Sequence, residues 1–423
     1  MKNCHASEDA SVVPSHQPTL LVLSQVYPPD PTAVGQYMHD AAAAMVRRGY
    51  RVLVYASARG YEDTSKTYAR RETMDGVEVR RLPLSSFGKA SILIRLVGGF
   101  SFTLQCIGRG VFTRGMTHML VSTSPPMCPL AAVAISLFRR VQITYWAMDI
   151  NPDQMVALGK IKPHSLSARI FDWLNRRILK RARAVVALDR FMAERLNRKI
   201  DVADKMVVIP PWPHQEHIEP VEHRANPFRR EHALDGKMVI MYSGNLSIAS
   251  PVTTILQAAR RVEDLDDLLF LFVGGGLGKQ EVDDLIANQN PPNIRSLPYQ
   301  PIATLRYSLS AADVHLVSVG EKMVGICHPC KIYGSMAVSR PIFLLGPKPC
   351  HVWDILEGND IGWAVEDGNV ERAEQIIREI HATTQQARTE MGRRARQIID
   401  QKFSMPSLRG QFCDVVENGP ILD

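Results

Sequence analysis

Residues 19–56 read TLLVLSQVYPPDPTAVGQYMHDAAAAMVRRGYRVLVYA, and this stretch decides the fold class. It opens as a continuous apolar run stopped by Pro28-Pro29, the pattern of a strand buried on both faces that then enters a loop. Gly35 introduces an alanine-rich stretch that favours helix, and Gly49 suits the C-terminal stop. A second apolar run, YRVLVYA, follows at once. Strand, glycine-containing loop, helix and strand make a βαβ unit, the start of a doubly wound parallel α/β sheet.

Outward from this unit, apolar runs predict strands at 76–82, 118–122, 142–147 and 184–188, with helices between them. Residues 207–235 are dense in proline and charge and poor in periodic apolar positions, so they read as a domain linker. The α/β pattern then restarts with KMVIMYSGNL from Lys237, a helix at about 252–261, LLFLFVGGG, a helix through 281–287, a short strand at 294–297, ADVHLVSV and PIFLLGP. Residues 371–403 and 406–419 are amphipathic and helical. The predicted organisation is a tail at 1–18, a Rossmann-like domain at 19–206, a linker at 207–236, a second Rossmann-like domain at 237–400, and a C-terminal helix within 401–423 that crosses back onto the first domain.

Bulk properties agree with two domains, since 423 residues with 45% hydrophobic content exceed what one core usually supports. Lys plus Arg total 50 against 43 Asp plus Glu, and the excess of +7 suits anionic small molecules or an anionic membrane surface. No RNA-binding signature, zinc-finger spacing or dense basic tract with interleaved aromatics is present, which sets nucleic acid aside. The first eighteen residues are polar and lack an apolar core, so they read as neither signal peptide nor membrane anchor. No uncharged apolar run of about 18 residues occurs, and the seven cysteines are odd in number and scattered. The expected address is cytoplasmic, with association at the inner face of the membrane as an option. That option rests on residues 88–115, which mix bulky apolar side chains with Lys89, Arg95, Arg109 and Arg114, and on residues 168–184, where Trp173, Ile178 and Leu179 stand among six basic residues. Basic amphipathic helices of this type lie in membrane interfaces, and ordinary solvated domain helices share the pattern.

Ligands of doubly wound domains bind at the carboxyl ends of the strands. Three glycine-bearing turns stand there: Gly35 after the first strand, Ser243-Gly244-Asn245 after the first strand of the second domain, and Gly274-Gly275-Gly276 after FLFV. Backbone N–H groups in such turns can approach phosphate oxygens closely, whereas the plainer reading is that glycine only relieves strain in tight turns. On the other side, Asp149 and Asp153 follow the strand ending in YWAM. A carboxylate there can orient an attacking hydroxyl or accept its proton, and Asp149 is the stronger candidate because Asp153 also suits a helix N-cap. Cys327-His328-Pro329-Cys330 has dithiol spacing. Its position deep in a second α/β domain argues against thioredoxin-like chemistry, and no further pair of ligands completes a zinc site.

The segments YSGNL, FVGGG, ADVHLVSV and HPCKIYGSMAVSRPIFLLGP, in this order, resemble glycosyltransferase family 4, of GT-B fold, and its bacterial branch that makes exopolysaccharides or lipid-linked saccharides. In the first half, YPPDPTAVG and YWAMDINPDQMVALG are similar to that branch as well. The resemblance implies two Rossmann-like domains flanking a cleft, a C-terminal crossover helix, and retaining transfer from a UDP- or GDP-linked sugar without a cofactor or a bound metal. The acceptor it implies is a saccharide or a polyprenyl-diphosphate-linked saccharide. Lys331 then stands where a Pro-Ser-Lys motif faces the donor diphosphate, Cys330 replaces that serine, and His328 is a candidate contact to phosphate or sugar. The pair of glutamates eight residues apart that the resemblance leads one to expect, the second of which in the family binds the donor ribose, is absent: Ile326 and Gly334 occupy those positions. Glu321 is the nearest carboxylate and becomes the candidate ribose contact. The candidate set is therefore Asp149 and Lys331 for catalysis, with Gly35, Ser243, Gly244, Asn245, Gly274, Gly275, Glu321, His328, Cys330 and Lys331 binding the donor. Two other readings fit the same fold, an epimerase-like enzyme acting on a UDP-sugar and a non-catalytic nucleotide-sugar-binding assembly subunit.

Overall fold

A computed structural model describes residues 17–30, 32–60, 63–87, 92–213 and 218–420. Residues 1–16 of the expected tail, Lys89 and residues 421–423 lie outside them. The chain forms two compact units, residues 1–144 and 145–423.

In the first unit the strands are β1 (Thr19–Leu23), β2 (Arg51–Ser57), β3 (Arg71–Met74), β4 (Val77–Leu82) and β5 (Met116–Ser122), in the order β3-β4-β2-β1-β5. All pairs are parallel except β3 with β4. Every residue of β1 is buried, as its unbroken apolar run requires. The alanine-rich helix Ala33–Arg47 buries Ala41 to Met45, and its start is capped by Thr32, whose side chain accepts from the Gly35 N–H. The sequence reading missed β3, because RETM is polar and half exposed at the sheet edge and carries no apolar run.

β6 (Gln142–Trp146) crosses the division, and the second unit continues with β7 (Ala184–Ala187) and β8 (Met206–Val208). A six-stranded sheet follows, made of β9 (Met238–Asn245), β10 (Leu268–Gly275), β11 (Ile294–Leu297), β12 (Val314–Ser318), β13 (Ile342–Leu345) and β14 (Gly362–Val365). Its order is β11-β10-β9-β12-β13-β14 and every pair is parallel. Alternation along β9 sends Met238, Ile240 and Tyr242 into a core with Ile255, Ala259, Ile376 and Ile380, while Val239 and Met241 face Phe228, Leu234, Ala311 and Ala312. Both faces are thus covered by helices, as a parallel sheet demands. The order reverses between β9 and β12, so the topological switch point lies where these two strands end.

Residues 207–236, read as a linker, contain packed structure. Asn226 caps the helix Pro227–Glu231, and buried Arg229 donates to the Ala311 carbonyl at 2.6 Å. Helical periodicity at 371–403 is broken in two, Val370–Ala382 and Gln385–Lys402, because the Thr384 side chain accepts from the Ala387 N–H and starts a new helix. The last helix, Met405–Asn418, lays Phe412 on Trp146 and Trp212, with ring centroids 4.1 and 5.9 Å away.

Truncating Phe412 to alanine empties the centre of this aromatic cluster and is expected to cost about 3–5 kcal/mol. Thermal unfolding of the variant checks this. His315 in β12 is 2% exposed, and burial lowers its pKa to about 4 while Nε2–H donates to the Leu309 carbonyl at 3.0 Å. The unfolded ring takes up a proton near pH 6.5 and the folded ring does not until about pH 4. Stability is therefore lost as pH falls through that window, at up to about 1.4 kcal/mol per pH unit from this residue. His315→Gln, which keeps a donor for Leu309, should show a smaller fall in melting temperature between pH 7 and pH 5.

Candidate functional site

The two glycine turns of the second unit meet at the ends of β9 and β10. In register Gly274 faces Gly244 and Gly275 faces Asn245. A Cβ on Gly274 would lie 1.9 Å from the Gly244 carbonyl oxygen, and a Cβ on Gly276 would lie 2.2 Å from Asn245 Oδ1. Gly244, at φ +128°, holds a backbone that other residues rarely adopt, and a Cβ there would sit 2.8 Å from Lys331 Cε. The turn is built so closely that only glycine fits.

Lys331 enters this turn from the start of the helix Lys331–Ala337. Its Nζ donates to the Asn245 carbonyl at 3.0 Å and lies 4.8 Å from the Tyr242 ring centroid. The Asn245 carbonyl also accepts from Tyr242 O–H at 2.9 Å, and Tyr299 O–H donates to Asn245 Oδ1 at 3.4 Å. A cation, a left-handed glycine and the end of a central strand thus converge at the switch point, the arrangement that receives phosphate groups in doubly wound sheets. Ser243 lies in the same strand, opposite Val273.

Asp149 sits beyond β6 on a loop joined to the segment before Lys331. The Ile150 N–H donates to the Ile326 carbonyl at 3.1 Å, and Asp149 bridges Cys327 in a short antiparallel contact. The Cys327 thiol donates to Asp149 Oδ1 at 3.0 Å, and Gln154 Nε2 contacts both Asp149 Oδ1 (3.3 Å) and Cys327 Sγ (2.9 Å). Burial raises the Asp149 pKa, partly offset by the thiol hydrogen bond. Burial, with the Asp149 charge next, also pushes the Cys327 thiol well up, so this sulfur is a poor nucleophile. Asp153 is engaged elsewhere, in ion pairs with Lys199 (2.6 Å) and Arg195 (3.3 Å). Beside this loop a cavity of about 770 Å³ is lined by Pro152, Asp153, Arg169, Arg176, Lys322 and Ile326 among others. That volume lies in the range of small-molecule sites.

The structure therefore gathers Asp149, Ser243, Gly244, Asn245, Gly274, Gly275, His328, Cys330 and Lys331 within one unit. Glu321 begins a short 3-10 turn and is exposed. Gly35 belongs to the other unit, where its N–H is taken by Thr32 Oγ1 (3.3 Å) and a Cβ would press on Tyr27 Cα at 3.2 Å. Cys330 Sγ points to the His328 carbonyl at 3.6 Å.

His328 is not directed at open space. Its Nδ1 meets Asp189 Oδ2 at 2.8 Å and its Nε2 meets Tyr333 O–H at 2.8 Å, while Tyr333 O–H also meets His351 Nε2 at 3.0 Å. Tyr333 packs beneath its helix, 1% exposed, as its apolar surroundings lead one to expect, and its hydroxyl adds a polar link. Asp189, His328 and His351 also form a group whose donor atoms lie within 4.8 Å of one another, a spacing compatible with a metal ion. Each already has a protein partner at hydrogen-bond distance. The sequence reading passed over Asp189 and His351. Asp189 follows β7 directly, the same strand-end signal that picked out Asp149.

Comparisons with known proteins bear on this geometry. Residues 32–212 match the Glycosyl transferase 4-like domain. The chain is 26% identical over 292 residues to WbjE of Pseudomonas aeruginosa, named as a glycosyltransferase, covering 68% of this chain and 71% of that one. It is 24% identical over 332 residues to WcaI of Escherichia coli (strain K12), named for colanic acid biosynthesis, covering 75% and 81%. The structure of HepE from Anabaena in complex with UDP and glucose superimposes with a TM-score of 0.70 at 15% identity, over 94% of this chain and 99% of that one. Residues 32–212 thus resemble a glycosyl transferase 4-like domain, the curated relatives are named as glycosyltransferases, and the α/β sheets with the C-terminal helix share the GT-B fold of the solved glycosyltransferase structures.

Proposed function

We propose that the protein transfers a sugar from a UDP- or GDP-linked donor, with retention, to a saccharide or a polyprenyl-diphosphate-linked saccharide in bacterial polysaccharide biosynthesis. The observation that carries this reading is Lys331 Nζ seated 3.0 Å from the Asn245 carbonyl within the turn that only glycine fits. The relative named for colanic acid biosynthesis supports the pathway, and HepE bound to UDP and glucose supports UDP as a donor base. Family resemblance supports retention.

The chemistry assigned to the residues is simple. The donor diphosphate lies over the turns after β9 and β10, and Lys331 exchanges its backbone carbonyl for phosphate oxygens. As the bond from the anomeric carbon to the diphosphate breaks, negative charge grows on the leaving oxygen, and a nearby cation stabilises it. The acceptor oxygen forms its bond on the same face of the sugar, and its proton passes to Asp149, which burial makes more basic, or to the departing diphosphate. Glu321 is the candidate ribose contact. The cavity beside the loop that follows Asp149, with Asp153, Arg169 and Lys322 at its wall, is the place proposed for the acceptor.

No helix among the described residues is long and apolar enough to cross a membrane. The helix Leu166–Arg181 exposes Leu166, Ile170 and Trp173 beside its basic residues, and in the first unit the helix Ile92–Val111 exposes Leu96, Val97, Phe100 and Leu104. Both suit peripheral contact with an anionic membrane from the cytoplasmic side, where a lipid-linked acceptor would be met.

A thermal-shift screen over nucleotides and nucleotide sugars should single out a uridine or guanosine diphosphate, since a ligand bound only by the folded state raises its melting temperature. With the donor so found, Lys331→Ala should lower kcat/KM by roughly 10²-fold or more. Unchanged turnover would remove Lys331 from the reaction. Asp149→Asn eliminates a half-buried, partly desolvated charge whose pKa is raised, so at neutral pH it should raise the melting temperature while depressing kcat.

A further inference from the structure

Four polar side chains from four different elements form one buried line beneath the donor segment. Asp189 caps the helix Arg190–Lys199, its Oδ1 accepting from the Met192 N–H at 2.8 Å while its Oδ2 meets His328. His328 stands in the segment before Lys331, Tyr333 belongs to the Lys331–Ala337 helix, and His351 opens the helix His351–Leu356 after β13. The Asp189 and His328 side chains are 2% and 1% exposed. A carboxylate can only accept, so His328 carries a proton on Nδ1; with a neutral His328 ring, Nε2 accepts from Tyr333 O–H and the Tyr333 oxygen accepts from His351 Nε2–H. Burial lowers the His351 pKa to about 3, and a neutral imidazole suits that end of the line. With that tautomer the donations along the line run in one direction.

His328 is therefore gripped on both ring nitrogens, and it sits between the two working residues of the site. Cys327, one residue before it, lies on Asp149, and Lys331, three residues after it, lies on Asn245. A rotation or shift of the His328 backbone would move both contacts together. We propose that Asp189, Tyr333 and His351 are positioning residues for sugar transfer, which act through His328 to hold Cys327 against Asp149 and Lys331 against Asn245 at the same time. This rests on the transferase reading above. The hydrogen bonds of the network run to His328 and between its own members, and its effect on the reaction passes through the main chain of residues 327–331.

The test uses the full chain and two variants that keep volume and the helix cap, Tyr333→Phe and Asp189→Asn. Alkylation of Cys327 by iodoacetamide, followed by peptide mass spectrometry, reports whether the segment stays docked, and Cys413, buried in the same unit, reports whether the fold is intact. The expected result is at least a tenfold faster alkylation of Cys327 with Cys413 still protected. Alongside it, kcat for transfer from UDP-glucose or the donor identified by thermal shift falls at least tenfold, and the affinity for UDP by calorimetry falls with it, because a displaced Lys331 meets the diphosphate less well. Wild-type alkylation rates at Cys327 in both variants, or unchanged kcat in both, overturn the proposal. If the wild-type protein turns over no UDP- or GDP-sugar, the transferase reading fails instead, and the alkylation rates alone decide whether the network positions the segment.

Discussion

The second sheet and the turns at its strand ends depend on one close approach, the main chain of Gly274 against that of Gly244. A side chain at position 274 would need to occupy space 1.9 Å from a carbonyl oxygen. Because the strand ends touch, the turn after β9 can fold over and present its Asn245 carbonyl, and Lys331 can reach that carbonyl from another helix. The remaining features are arranged around this contact. The sheet order places it at the switch point, the Tyr242 and Tyr299 hydroxyls hold the Asn245 backbone and side chain, and the segment carrying Lys331 is tied by Cys327 to the loop of Asp149.

Electrostatics separates the two candidate catalytic groups. Lys331 stays at the edge of solvent, where a mobile cation can follow charge that develops on a leaving group. Asp149 lies half-buried beside a thiol that donates to it, in surroundings that favour its protonated form more than water does. The roles proposed for Lys331 and Asp149 ask for opposite environments, and one continuous segment, residues 327–331, joins the two residues' surroundings.

Much of the fold was legible because parallel strands covered on both faces are rich in consecutive apolar residues, and β1, β10 and the first half of β9 are such runs. Edge strands escape that rule. β3 is polar and β14, GWAV, is only partly buried, so neither announced itself. The Pro-rich stretch at 207–236 looked like a linker by composition, yet Asn226, Phe228 and Arg229 dock it on the second sheet through contacts some eighty residues away in sequence. The site divides in the same manner. Lys331 and the glycine turns follow strand ends and could be read locally, whereas the His328 partnership with Asp189 spans 139 residues and has no local signature. The missing glutamate pair at Ile326 and Gly334 has a structural counterpart: Ile326 is buried and its carbonyl accepts from the Ile150 N–H, so this position serves to join the donor segment to the Asp149 loop.

The most direct test of the central claim is a crystal structure of the protein with UDP bound. The account predicts a diphosphate oxygen within about 3.2 Å of Lys331 Nζ, over the turns that end β9 and β10. UDP seated elsewhere, with Lys331 still held on the Asn245 carbonyl, would contradict it.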